Sequence, residues 1–163
     1  MPALPVTERL VHIARDAYAA ALGPDKHVFL VGDLRKPTSY PFIAERRLEL
    51  AICAYEAGDD GLPHWHESVT EYEVVVAGRI GYLDVAADVV VGAEPGDFLS
   101  VPAGVCVRRL VPERSSTVAV KVPSSAQKTH CEACPRECRH RIDAFRKPLP
   151  GLSDRTRAPG IES

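Results

Sequence analysis

A chain of 163 residues, 45% of them hydrophobic, can bury one sizeable core and is too short for two ordinary domains. Its formal charge of −2 argues against general nucleic-acid binding, and the basic surplus sits late, in residues 128–157, which carry eight Lys/Arg against four Asp/Glu. No run approaches the roughly 18 apolar residues that cross a bilayer. The start, Met1 to Arg9, lacks the basic segment and apolar core of a secretory signal. The expectation is therefore a soluble, cytoplasmic chain whose five cysteines serve as thiols or metal ligands rather than in disulfides.

Thr7 can cap a helix over residues 8–22, with Leu10, Ala14, Tyr18, Ala21 and Leu22 on one side and Gly23-Pro24 as its stop. Such a helix would cover a sheet or a partner. His27 to Val31 has the length and apolar content of a strand, and Lys36 to Pro41 reads as loop. Arg46 to Tyr55 alternates, with Leu48, Leu50 and Ile52 on one face and Glu49, Ala51 and Cys53 on the other, as a half-buried strand does. Cys53 is expected to be a small packed residue, since nothing near it in sequence would lower its pKa.

Residues 58–78 need a chemical explanation. His64 and His66 are two apart, so on an extended segment both imidazoles leave the same face, and Glu71 opens the strand that follows a short turn. Two neutral imidazoles and a carboxylate suit a divalent transition metal such as iron, manganese, nickel or zinc, and three ligands leave positions open for water or substrate. Trp65 points away from the histidines, as a lid, an interface residue or ordinary packing. Glu73 and Val75 share the face of Glu71, so Glu73 is either functional or placed near a cavity mouth, because an unpartnered buried carboxylate is costly.

Short strands follow over Glu71–Val76, Arg79–Val85, Val89–Val91, Phe98–Val101, Val105–Leu110 and Thr117–Val122, separated by Gly, Pro or Asp. That spacing, with almost no helix between strands, indicates an all-β sandwich or barrel. Within it, Gly58, His64, His66, Glu71 and Gly78 stand as Gly, five residues, His-x-His, four residues, Glu, six residues, Gly. In this the chain resembles the cupin superfamily, whose first motif has that form. Gly96, Pro102 and Gly104 match the glycines and proline of the second motif, whereas Val107 stands where the family places its fourth ligand and Val111 where it places an Asn. The resemblance covers residues 46–122. It implies a jelly-roll β-barrel enclosing a metal on His64, His66 and Glu71. Arg108 and Arg109 offer a cation near the same strand, suited to a carboxylate or phosphate on a small ligand. Cys106 should face away from the metal, unless a bulge shifts the register and makes it a ligand.

Beyond the strands, His130, Cys131, Cys134, Cys138 and His140 fall within eleven residues. Cys131, Cys134, Cys138 and His140 have spacing suited to a structural zinc, with His130 as an alternative ligand. The three cysteines would also share one face of a packed helix. The division expected is an N-terminal helix in 1–25, a barrel over 26–123, a short Cys/His-rich helical segment over 124–147 and a flexible tail over 148–163.

The expected function is a small-molecule enzyme of dioxygenase or isomerase type acting on a small polar metabolite. Its metal would sit on His64, His66 and Glu71, with Glu73 or Arg109 in proton transfer or anion binding. The alternative, suggested by Val107, is a non-catalytic ligand-sensing or partner-binding protein. Exposed strand edges that need covering imply a homodimer.

Overall fold

The computed structural model describes residues 10–34 and 38–130. Among these described residues one helix, α1 (Asp16–Asp25), is followed by eleven strands. These are β1 (His27–Gly32), β2 (Ile43–Ala44), β3 (Glu49–Tyr55), β4 (His64–Trp65), β5 (Thr70–Ala77), β6 (Ile80–Asp84), β7 (Val89–Ala93), β8 (Phe98–Val101), β9 (Val107–Leu110), β10 (Ser115–Val122) and β11 (Thr129–His130). They form a six-stranded sheet in the order β2-β1-β3-β10-β5-β8 and a five-stranded sheet in the order β11-β4-β9-β6-β7. All pairs are antiparallel except β1–β2.

Strand alternation decides what lies between the sheets. On β3, Glu49, Ala51, Cys53 and Tyr55 are buried and the residues between them only partly so, as a pleat with one face toward a core requires. Val75 on β5, Ile80 and Tyr82 on β6, Ala93 on β7 and Val107 on β9 form an apolar cluster, with Leu99, Val101 and Val105 packed against it. A second cluster joins Ala51, Cys53 and Tyr55 to Val111. Fully burying one such Val or Ile side chain contributes roughly 1.5–3 kcal/mol. The buried polar residues Glu49, His66, Glu73 and Thr117 lie among these strands and break the apolar packing.

The helix covers the outer side of β1. Ala21 packs with Val28 and Tyr40, and Tyr18, Leu22 and Leu30 complete that layer. It starts at Asp16, not near residue 8, and residues 10–14 are not helical. Its backbone also runs through Gly23-Pro24 and ends at Lys26, whose φ is 59°. Thr7, the expected cap, lies outside the described residues, as do Cys131, Cys134, Cys138, His140 and the tail. The five-stranded sheet continues past residue 123, because β11 adds to its edge. Cys53 is free and buried, as expected. Cys106 is disulfide-bonded, contrary to the expectation of thiols or metal ligands.

Gly78 closes the β5–β6 turn at a φ of 71°, and a Cβ there would stand 2.2 Å from the Arg114 carbonyl oxygen. Only glycine fits.

Candidate metal centre

The loop leading to β4 is laid along β9. Gly58 N–H donates to Val111 O at 2.8 Å and Gly61 N–H to Arg109 O at 3.0 Å. Asp60 Oδ1 accepts the Val111 N–H at 2.8 Å. These bonds deliver His64 directly opposite Val107 on β9. At the other end of the His-x-His turn, Gly104 N–H donates to His66 O at 2.7 Å, which ties the second glycine-rich turn to the ligand strand. Both imidazoles are thereby fixed from the backbone.

The ring nitrogens are assigned by their partners. His64 Nδ1 lies 3.0 Å from Leu62 O and His66 Nδ1 lies 2.5 Å from Gln127 O. A carbonyl can only accept, so each Nδ1 carries a hydrogen, and in the neutral ring each Nε2 presents a lone pair. Ligand atoms of His64, His66 and Glu71 all lie within 4.8 Å of one another. His66 Nε2 is buried and has no hydrogen-bond partner, although Glu71 Oε1 is 3.0 Å away. An unprotonated Nε2 and a carboxylate oxygen at that distance repel unless a cation, either a proton or a metal, lies between or beside them. These residues therefore fit a divalent metal, with the imidazoles pre-oriented by their backbone acceptors.

The charge states agree with that use. Burial pushes the His64 pKa below its ordinary value, and this outweighs the Leu62 carbonyl and Glu71, which raise it. Burial also raises the Glu71 pKa, but His66 and the positive charge of Lys121 overcome it and hold the carboxyl at about 2. Lys121 Nζ stands 3.3 Å from Glu71 Oε1 and 3.4 Å from Glu49 Oε1. Near neutral pH the site thus offers a carboxylate and a neutral His64.

Val107 does not contribute. It is 4% exposed and packed in the apolar cluster, so β9 offers a methyl surface where the motif places a fourth ligand, a third imidazole.

The cluster opens into a cavity of about 320 Å³, whose walls include His64, Glu71, Glu73, Tyr82, Arg109 and Lys121. Glu73 is 6% exposed. It accepts a hydrogen bond from Tyr82 Oη at 2.6 Å on one oxygen and one from Thr117 Oγ1 on the other. That satisfies the carboxylate inside the barrel. The Arg109 guanidinium lies 4.1 Å from the centre of the Tyr55 ring, and its Nε is buried without a hydrogen-bond partner. Burial works against this charge, yet Tyr55, Tyr82 and Glu73 around it raise the Arg109 pKa. Arg108, on the other face of β9, stands 3.8 Å from Asp60.

His64, Glu71, Glu73 and Arg109 therefore reach one chamber, with His66 set against His64 and Glu71 at its wall. Trp65 pairs with Thr129 on β11, and alternation sends its side chain away from the histidines. Tyr55, Tyr82, Thr117 and Lys121 carry no local sequence signal for the site. The inward phase of β10, set by Ser115 and Thr117, does point to Lys121 once that strand is aligned with its neighbours.

No family model matches the chain, and no curated protein matches it. Solved structures do resemble it. DMSP lyase DddQ from Ruegeria pomeroyi is 20% identical with a TM-score of 0.51, over 64% of this chain and 50% of that one. An uncharacterized protein with a double-stranded β-helix domain from Klebsiella pneumoniae is 19% identical with a TM-score of 0.49, over 55% and 74%. A sugar phosphate isomerase from a cupin superfamily, from Silicibacter pomeroyi, is 17% identical with a TM-score of 0.46, over 53% and 58%. The two-sheet topology and the likeness to DddQ show a jelly-roll β-barrel, the fold that the cupin-like motif from Gly58 to Gly78 implies.

Proposed function

We propose that this protein is a metal-dependent enzyme of dioxygenase or isomerase type that acts on a small polar, anionic metabolite in the barrel cavity. The observation that carries the proposal is the unpartnered His66 Nε2 facing the Glu71 carboxylate at 3.0 Å, with both histidine Nδ1 atoms already committed to backbone carbonyls. Iron, manganese, nickel and zinc all suit two imidazoles and a carboxylate. A bound metal would polarise a substrate oxygen or present dioxygen.

The remaining roles fall to this chain's own side chains. Arg109, whose guanidinium carbon lies over the Tyr55 ring, offers its guanidinium to a substrate carboxylate or phosphate. Glu73 is a proton acceptor whose position is fixed by Tyr82 and Thr117. Lys121 keeps Glu71 ionised. The apolar wall at Val107 limits water on the far side of the cluster.

Metal analysis of the wild type and of His64→Ala after metal-replete expression tests the foundation. One barrel metal is expected in the wild type and none in the variant. A wild type without barrel metal removes the proposal. Val107 favours a second reading, a non-catalytic ligand-binding protein with a weak three-ligand metal. Oxygen consumption or product formation that depends on Glu71 in a metabolite screen would reject it.

A homodimer completes the proposal. β8 ends the six-stranded sheet, and Phe98 on it is 62% exposed opposite Val74 at 39% on β5. An apolar edge of this kind calls for a partner strand.

A further inference from the structure

We infer that His130 supplies a fourth protein ligand to the metal, reaching it from β11 on the flank of β4 opposite Val107; the inference rests on the metal-site reading above. The register places His130, His64 and Val107 in one row across β11, β4 and β9. Residues directly opposite in an antiparallel pair project to the same face, with Cβ atoms roughly 4.5–5.5 Å apart. His64 therefore has two lateral neighbours on the cavity side. One is a buried valine and the other an imidazole.

Distances bring His130 close to use. The His64 and His66 ring centres are 5.5 Å apart at 88°, and those of His64 and His130 are 6.3 Å apart at 61°. Two imidazoles on one ion at ~2.1 Å have ring centres roughly 5 Å apart. His130 thus stands about 1 Å outside that range, a movement open to an exposed side chain on a two-residue edge strand. Its ring also lines the cavity that holds His64 and Glu71.

The segment before it is already committed to the site. Gln127 O accepts the His66 Nδ1 hydrogen, Lys128 lines the cavity, and Thr129 and His130 pair with Trp65 and His64. Residues 127–130 thus orient one ligand histidine and flank the other. Ligation by His130 gives three imidazoles and one carboxylate, the set that a histidine at Val107 would have completed from the other side.

Cobalt(II) titration against a competing chelator tests this on the full-length, untagged protein, comparing the wild type, His64→Ala and His130→Ala. Thiolate-bound cobalt has its own charge-transfer band and is counted separately. The expected result is one barrel cobalt in the wild type, none in His64→Ala, and affinity in His130→Ala lower by at least the 10–100-fold typical of losing a group that supports a metal site. The ligand-field spectrum of His130→Ala should shift as water replaces a nitrogen donor. Unchanged affinity and spectrum in His130→Ala, with binding still lost in His64→Ala, overturns the role of His130 and leaves the three-ligand site standing. A wild type that binds no barrel cobalt overturns both. Circular dichroism of His130→Ala should match the wild type, since the side chain is exposed.

Discussion

Lys121 on β10 lies directly across the β10–β5 pair from Glu71 and directly across the β10–β3 pair from Glu49. One ammonium thus bridges two carboxylates on the cavity wall, one of which belongs to the metal cluster. Because the folded-state pKa of Glu71 is depressed to about 2 from an ordinary 4.5, its contribution is fully present above pH 4.5 and is lost as pH falls through about 2. A shift of that size corresponds to the order of 3 kcal/mol. Metal-free wild type should therefore lose stability below pH 4.5 in urea melts. In Lys121→Met the fall below pH 4.5 should be smaller and complete at a higher pH, with about 1–3 kcal/mol already missing at pH 7. Superimposable pH profiles for the two proteins would show that Lys121 does not govern Glu71.

Gly78→Ala should be among the most damaging small substitutions. The added methyl meets a backbone carbonyl at 2.2 Å and the residue must keep a φ of 71°, so relief requires moving the β5–β6 turn. A loss of roughly 1–3 kcal/mol or more is expected. It should be read as a lower urea midpoint at unchanged slope. Gly58→Ala, where nothing lies within 4 Å of the added carbon, should cost less.

Arg109 separates anion recognition from metal binding. Arg109→Met should leave barrel metal content unchanged and weaken binding of malonate or phosphate by roughly 10–100-fold in calorimetry. Arg109→Lys should recover only part of it, because lysine lacks the planar fork and the stacking on Tyr55. Equal anion affinity in all three proteins would remove Arg109 from substrate binding.

The proposed dimer is addressed through Phe98, which stacks on Tyr72 at 5.8 Å between ring centres. Light scattering should give two chains per particle for the wild type and one for Phe98→Asp. A wild type that is monomeric at high micromolar concentration contradicts the edge contact.

The metal cluster was legible in the sequence because its geometry is local. His64 and His66 share a face by strand alternation alone, and Glu71 follows within one turn. The barrel was legible for the same reason, through short alternating strands between Gly and Pro. What could not be read depends on which strands become neighbours. Lys121 is fifty residues from Glu71 in the chain, and only the β10–β5 register brings them together. Tyr82 and Thr117 meet Glu73 from opposite sheets. The helix start was misplaced because apolar spacing from Leu10 onward fits a helix, yet packing on Val28 and Tyr40 involves only the later residues Tyr18, Ala21 and Leu22. Leu10 is 99% exposed.

The hydrogen bond from His66 Nδ1 to Gln127 O makes the end of the described chain a thermodynamic partner of the metal. Any ion that prefers His66 in its observed orientation also prefers residues 127–130 docked against β4, and by reciprocity docking of that stretch must raise the affinity for the ion by the same factor. Metal should then slow amide exchange at Lys128, Thr129 and His130, far along the sequence from the three motif ligands, and cleavage after Lys128 should loosen the metal without removing any of those three.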